Sequence, residues 1–215
     1  MTPRRVWGRV TFFAMAVIVG HHVGTIFKDL GPLGDGDWAD WIDLLVPFAV
    51  LGAAALVLRG VGVDRATWLL YWVGAILYTQ GHGIHLSANS ISNDGPITPR
   101  IHLWDEVVGH YLWYAGWLIV VVSLARALMT GERARGHWWY AIAALYGLTW
   151  MTNNVEGGTP ALGLAGAIVL TVWGWIHRKR AGIHLFVAYG VALVLLVAFG
   201  IWKGGFPQFS ELGWI

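Results

Sequence analysis

Between Tyr78 and Tyr114 two strongly apolar runs flank a short polar connection, and together they carry His82, His85, Asn89, His102, Asp105, Glu106 and His110. Residues three or four apart share a helix face. Tyr78, His82, His85 and Asn89 therefore form one stripe, and His102, Glu106 and His110 form another with Asp105 at its edge. The connection, Ser90 to Pro99, holds Asn93-Asp94-Gly95-Pro96 as turn chemistry, which makes the two helices antiparallel neighbours. At a rise of about 1.5 Å per residue, His82 and His110 fall at matching depth and His85 comes near the level of Glu106.

Such a set of imidazoles and carboxylates suits Zn²⁺, Fe²⁺ or Mn²⁺. Cu(I) fits less well, because it prefers sulfur and the chain has no Cys and only four Met. His82, His85 and His110 are the expected ligands, His102 is the reserve, and His21 or His22 from the first apolar run could supply another. Glu106 shares the ligand face and can bind metal or act as a general base, while Asp105 can orient a His through its second ring nitrogen or share the catalytic role. A single buried His is commonly a hydrogen-bonded packing residue. Here six of the nine gather on one side, which favours a metal or cofactor site. The other three, His137, His177 and His184, lie at the opposite helix ends beside Arg and Lys, where capping or interfacial roles are the plain reading.

The elements that must position these groups are apolar helices. Of 215 residues, 57% are hydrophobic and 12% charged, with 15 Trp and 29 Gly, a profile outside soluble norms. Runs of roughly 17 to 25 apolar residues cross the hydrocarbon layer as helices, and seven can be placed: 7–27, 41–59, 67–91, 101–128, 137–155, 159–177 and 183–203. The expected fold is an all-α, seven-transmembrane-helix bundle forming a single domain over 1–215, with the first helix retained and not cleaved as a signal peptide. Ionisable groups at membrane depth persist mainly where they pair, bind an ion or line a wet cavity.

Orientation follows from Lys and Arg. Arg4, Arg5, Arg9, Arg59, Arg65, Arg126, Arg133, Arg135, Arg178, Lys179 and Arg180 fall in alternate connections, eleven of the fourteen basic residues. This bias puts the N-terminus in the cytoplasm and, with seven spans, the C-terminus outside, so the His-rich helix ends face outward. A bacterial inner membrane is the expected location. The net charge of +2, with no basic run, argues against nucleic-acid binding.

Gly81-His82-Gly83-Ile84-His85 followed by Leu103-Trp104-Asp105-Glu106 resembles, over about thirty residues, the alkaline ceramidase and adiponectin-receptor superfamily of seven-helix zinc hydrolases. The resemblance implies that an intramembrane His and Asp site on such a bundle can hydrolyse a lipid amide. It departs in having no Ser one turn before His82 or His85, a longer His85-to-Asp105 spacing, and in its last helix only His184, at the opposite face. Membership does not follow.

The leading expectation is a membrane metal-dependent enzyme acting on a lipid-type amide or ester, or an iron-dependent oxidase at the same ligands. A b-type haem clamped between His21 or His22 and His82, His85 or His110 is the electron-transfer alternative. Passage of protons or metal ions is the third, set back by the scarcity of acidic and His residues in the inner half. The bilayer and a lipid-like small molecule are the expected partners. Sequence does not fix oligomeric state, nor whether Asn153, Asn154 and Glu156 join the site.

Overall fold

The computed structural model describes residues 3–93, 95–129 and 131–214, and Asp94 of the expected turn lies outside them. Its helices are α1 (Pro3–Gly20), α2 (Val23–Phe27), α3 (Trp38–Asp43), α4 (Val46–Val61), α5 (Arg65–Asn93), α6 (Pro99–His102), α7 (His110–Leu128), α8 (Trp138–Glu156), α9 (Pro160–Ile176) and α10 (Gly182–Lys203). A 3₁₀ turn (Lys28–Leu30) follows α2, and a π-helical segment (Leu103–Gly109) joins α6 to α7 without a break. The described extended structure is one short antiparallel ladder in which Pro32 pairs with Asp37 and Leu33 with Gly36.

Three helical stretches are long and apolar enough to cross a membrane: Trp38–Val61, Pro99–Leu128 and Gly182–Lys203. A fourth, Arg4–Gly20 with Val23–Leu30, qualifies only as a pair bent by 59°. The continuous first helix expected over 7–27 is thus broken at His21-His22. At the break His22 Nδ1 meets the Ile18 carbonyl at 2.7 Å, occupying an acceptor the ending helix leaves open. The helix α9 is apolar but has 17 residues, and α5 and α8 are not among the apolar spans. Those two carry Gln80, His82 and His85, and Thr149, Thr152, Asn153 and Asn154.

Packing follows from small residues, which let backbones approach where apolar burial alone gives little preference between helix and lipid. The most extensive pairings are α5 with α7, α9 with α10, α8 with α10 and α1 with α4. In the first, Gly74 and Gly81 on α5 face Gly116 on α7 and Gly109 at the end of the π segment that leads into it, both pairs spaced by seven residues. A Cβ on Gly81 would run into the Trp113 backbone, and one on Gly116 into that of Tyr78. Gly147 meets the Ala188 carbonyl in the same way, and Gly174 the Phe186 backbone. The core between them is aromatic. Trp117 and Trp150 are fully buried, and their indole N–H groups donate to the Tyr146 hydroxyl (2.6 Å) and the Gly163 carbonyl (3.0 Å). The outside is apolar instead, with Phe48 74% and Ile201 78% exposed.

Candidate metal centre

The Gly81–Gly109 contact fixes what stands beside it. A Cβ at Gly109 would come within 3.0 Å of the His85 backbone nitrogen, so the chains of α5 and the π segment nearly touch where His85 and His110 project. Their imidazole centroids lie 4.2 Å apart at 37°. His85 Nδ1 is 2.5 Å from Asp105 Oδ1. One ligand atom from each of His85, Asp105 and His110 lies within 4.8 Å of the others, so the group could hold a metal ion, and it is the one such group among the described residues.

The π segment explains why Asp105 takes part. On a regular α-helix five residues turn through about 500°, leaving Asp105 and His110 roughly 140° apart. A π turn bonds residue i to i+5, which places the two one turn apart on one side. Local widening of this kind recurs at functional sites. It leaves Asp105 and His110 buried (6% and 5% exposed), with Glu106 half-buried beside them.

Glu106 Oε2 stands 3.4 Å from His110 Nδ1, within ion-pair reach but without hydrogen-bond geometry. Its carboxylate is held from the other side by the tail. Gln208 Nε2 donates to Glu106 Oε2 (2.9 Å) and to the Glu156 carbonyl (2.5 Å), while the N–H groups of Phe209 and Ser210 donate to Glu156 Oε2 at 2.6 and 3.2 Å. The residues after α10 therefore fold back over the site. Glu106, His85 and His110 line a cavity of about 430 Å³, shared with His21, His22, Asp40, Asp43, Asn89, Asn153 and Glu156. Four carboxylates on one cavity wall attract cations, and low-dielectric walls strengthen that field.

The remaining predicted residues are placed apart from the three-residue group. His82 is buried and its Nε2 lies 3.2 Å from Asp43 Oδ1, with Trp113 packed edge-on against it at 4.6 Å. One of the three expected imidazole ligands thus already has a carboxylate of its own from α3. His21 Nε2 shares a 2.7 Å hydrogen bond with the Tyr78 hydroxyl, and its ring packs on Trp117 at 4.0 Å. A haem ligand needs that nitrogen facing an open slot. His22 reaches Thr152 Oγ1 at 3.3 Å and lines the cavity. His102, the reserve ligand, is exposed at the end of α6 and is not part of the cavity wall. Of the residues left open by the sequence, Asn153 and Glu156 line the cavity. Asn154 is instead buried in the α8–α9 turn, where it donates to the Trp150 carbonyl and accepts from the Thr159 hydroxyl.

Sequence reasoning missed Gln208 and the lining roles of Asp40 and Asp43. The two aspartates lie on α3 in a stretch that also holds Asp29, Asp35 and Asp37, and this acidic composition was the available signal. No comparable signal marks Gln208.

Comparison of the chain with protein-family models, curated proteins and solved structures gives no match, so the resemblance to the alkaline ceramidases stays local to the residues that carry it.

Proposed function

We propose that the chain is an integral membrane metal-dependent hydrolase, with seven spanning helices, its N-terminus cytoplasmic and its C-terminus and metal centre extracytoplasmic. The observation that carries this reading is the convergence of His85, Asp105 and His110 from two helices to within 4.8 Å, beside a cavity lined by polar groups. Two imidazoles and one carboxylate form the donor set of catalytic zinc sites and of non-haem iron sites, which keep positions open for substrate. The orientation is supported by the basic residues, whose bias puts the loops around Arg133–Arg135 and Arg178–Arg180 inside.

His85 and His110 hold the metal with Asp105, and Trp113 and Tyr114 stack against the imidazoles and fix their planes, at 5.3 Å for His85–Trp113 and 5.5 Å for His110–Tyr114. A divalent metal bound there supplies Lewis-acid polarisation of water and of a substrate carbonyl. Glu106 faces the cavity and can take a proton from water, with Gln208 keeping its carboxylate aimed. A carboxylate on the cavity wall outside the three-residue group favours hydrolysis over oxidation. A cavity with polar and apolar walls in a lipid-facing bundle suits an amphiphilic amide or ester.

Elemental analysis of detergent-purified protein tests the reading. About one equivalent of transition metal is expected in the wild type, lost in His85→Ala and His110→Ala and kept in His102→Ala. Glu106→Gln should keep the metal and lose hydrolysis of a fluorogenic lipid amide or ester. A wild-type protein without stoichiometric metal overturns the proposal.

A further inference from the structure

The end of the bundle opposite the metal centre carries a second site of different construction. The Ala181 N–H donates to the Gly131 carbonyl at 3.2 Å, tying the α7–α8 loop to the α9–α10 turn. Between them opens a cavity of about 650 Å³ lined by Gly131, Glu132, Arg133, Arg135, Lys179 and Arg180. Arg133, Arg135 and Lys179 bring positive charge to its wall, and Glu132 is the carboxylate among the described lining residues. The loop that presents two of them is pinned: Trp7 Nε1 donates to the Glu132 carbonyl at 3.0 Å. Ala134, between the two arginines, is buried against Trp7, Trp139 and Ala181, and its N–H donates to His184 Nε2 at 3.2 Å.

Beneath this basic cavity lies an almost wholly apolar one of about 120 Å³, whose wall includes Trp7, Leu128, Met129, Ala143, Ala181 and His184. An apolar void of about this size stays dry and accepts a benzene-sized group. The two cavities are neighbours in sequence, with Met129 and Ala181 lining one and Gly131 and Arg180 the other, and a third cavity of about 230 Å³ shares Trp7 and Leu128 with the apolar one and Gly131 and Glu132 with the basic one. His184 accepts a hydrogen bond on Nε2, so its ring is neutral and Nδ1 carries the hydrogen. That Nδ1 is buried and has no hydrogen-bond partner, and the residue is part of the apolar cavity's wall.

We propose that the paired cavities bind an anionic phospholipid, its phosphodiester on the arginines and part of one acyl chain in the apolar cavity, with the His184 N–H available to an ester carbonyl. Guanidinium groups match phosphate geometry, and basic pockets on the cytoplasmic side of membrane helices attract anionic headgroups. Inorganic phosphate would leave the apolar cavity unfilled, and an acidic peptide carries no acyl chain to fill it. The inference rests on the membrane arrangement proposed above and is independent of the metal.

Native mass spectrometry of the purified protein in micelles containing phosphatidylglycerol or phosphatidylcholine tests it. Retention of phosphatidylglycerol should exceed that of phosphatidylcholine by about tenfold or more, and Arg133→Gln with Arg135→Gln should erase the difference. Ala143→Leu, which fills the apolar cavity, should weaken retention. Arg178→Gln should not, because that guanidinium stands over the Trp175 ring at 3.8 Å. Equal retention of the two lipids, or displacement of phosphatidylglycerol by millimolar inorganic phosphate or by an acidic peptide, overturns the site while leaving the spanning arrangement intact. Release of the chain from membranes by alkaline carbonate overturns both.

Discussion

His85 Nδ1 and Asp105 Oδ1 stand 2.5 Å apart across two separate helices, while His82, three residues earlier on the same helix, meets a different carboxylate, Asp43. Two histidines of one stripe thus serve two different partners. Asp105→Asn, which takes a charged ligand from the proposed site, should lower transition-metal affinity by more than the roughly 10–100-fold that loss of an outer-shell partner costs. Asp43→Asn should leave metal content unchanged and lower thermal stability instead. Competition with a chromophoric chelator measures the first, and a melting curve the second.

The glycine contacts give a paired test on one helix. Gly81→Ala forces a methyl group against the Trp113 backbone and should destabilise by about 1–3 kcal/mol, with metal lost in parallel because His85 and His110 are pushed apart. Gly83 has open space around its Cβ position. Gly83→Ala should be neutral or stabilising by up to about 1 kcal/mol through helix propensity.

At the tail, Gln208→Glu would set a second carboxylate against Glu106 and the Glu156 carbonyl. The segment after α10 should then lift, and a chelator should strip metal from the variant several-fold faster than from the wild type. Gln208→Ala, which only removes the donor, should fall between them, at a cost of about 1–3 kcal/mol.

The absence of Cys makes topology directly measurable. A membrane-impermeant thiol reagent applied to intact cells should label Ser210→Cys and should reach Arg135→Cys only after permeabilisation. The reverse pattern would reject the orientation.

Far from the centre, Asp64 accepts from the Thr67 hydroxyl (2.6 Å) and backbone N–H (2.8 Å), which with Arg126 holds its carboxyl at about 2 instead of 3.8. A lowered folded-state value means the contribution is present above about pH 4 and disappears as pH falls toward 2. Asp64→Asn should therefore flatten the acid limb of the stability profile in that window, as read by thermal melts at stepped pH.

The apolar runs located nearly every long helix, because unbroken hydropathy marks a helix packed in apolar surroundings, although only three stretches, or four with the bent pair, are long and apolar enough to cross a membrane. The interruption at His21-His22 escaped that logic, since both flanking segments are equally apolar. The site was legible as to neighbourhood and not as to membership. A π turn inserts no residue type of its own, so a regular periodicity put Asp105 at the margin of its stripe and gave His82 the same standing as His85. The partner of His82 comes from α3, a short helix in what looked like a connection, and the tail holding Gln208 follows the last apolar run with no periodic pattern.

The seven-residue glycine spacing shared by α5 and α7 has a mechanical outcome. With backbone seated against backbone at Gly74, Gly81, Gly109 and Gly116, neither helix can slide by a single turn without driving a side chain into its neighbour. The register of His85, Asp105 and His110 is thereby set by glycines and not by the ion the three could bind.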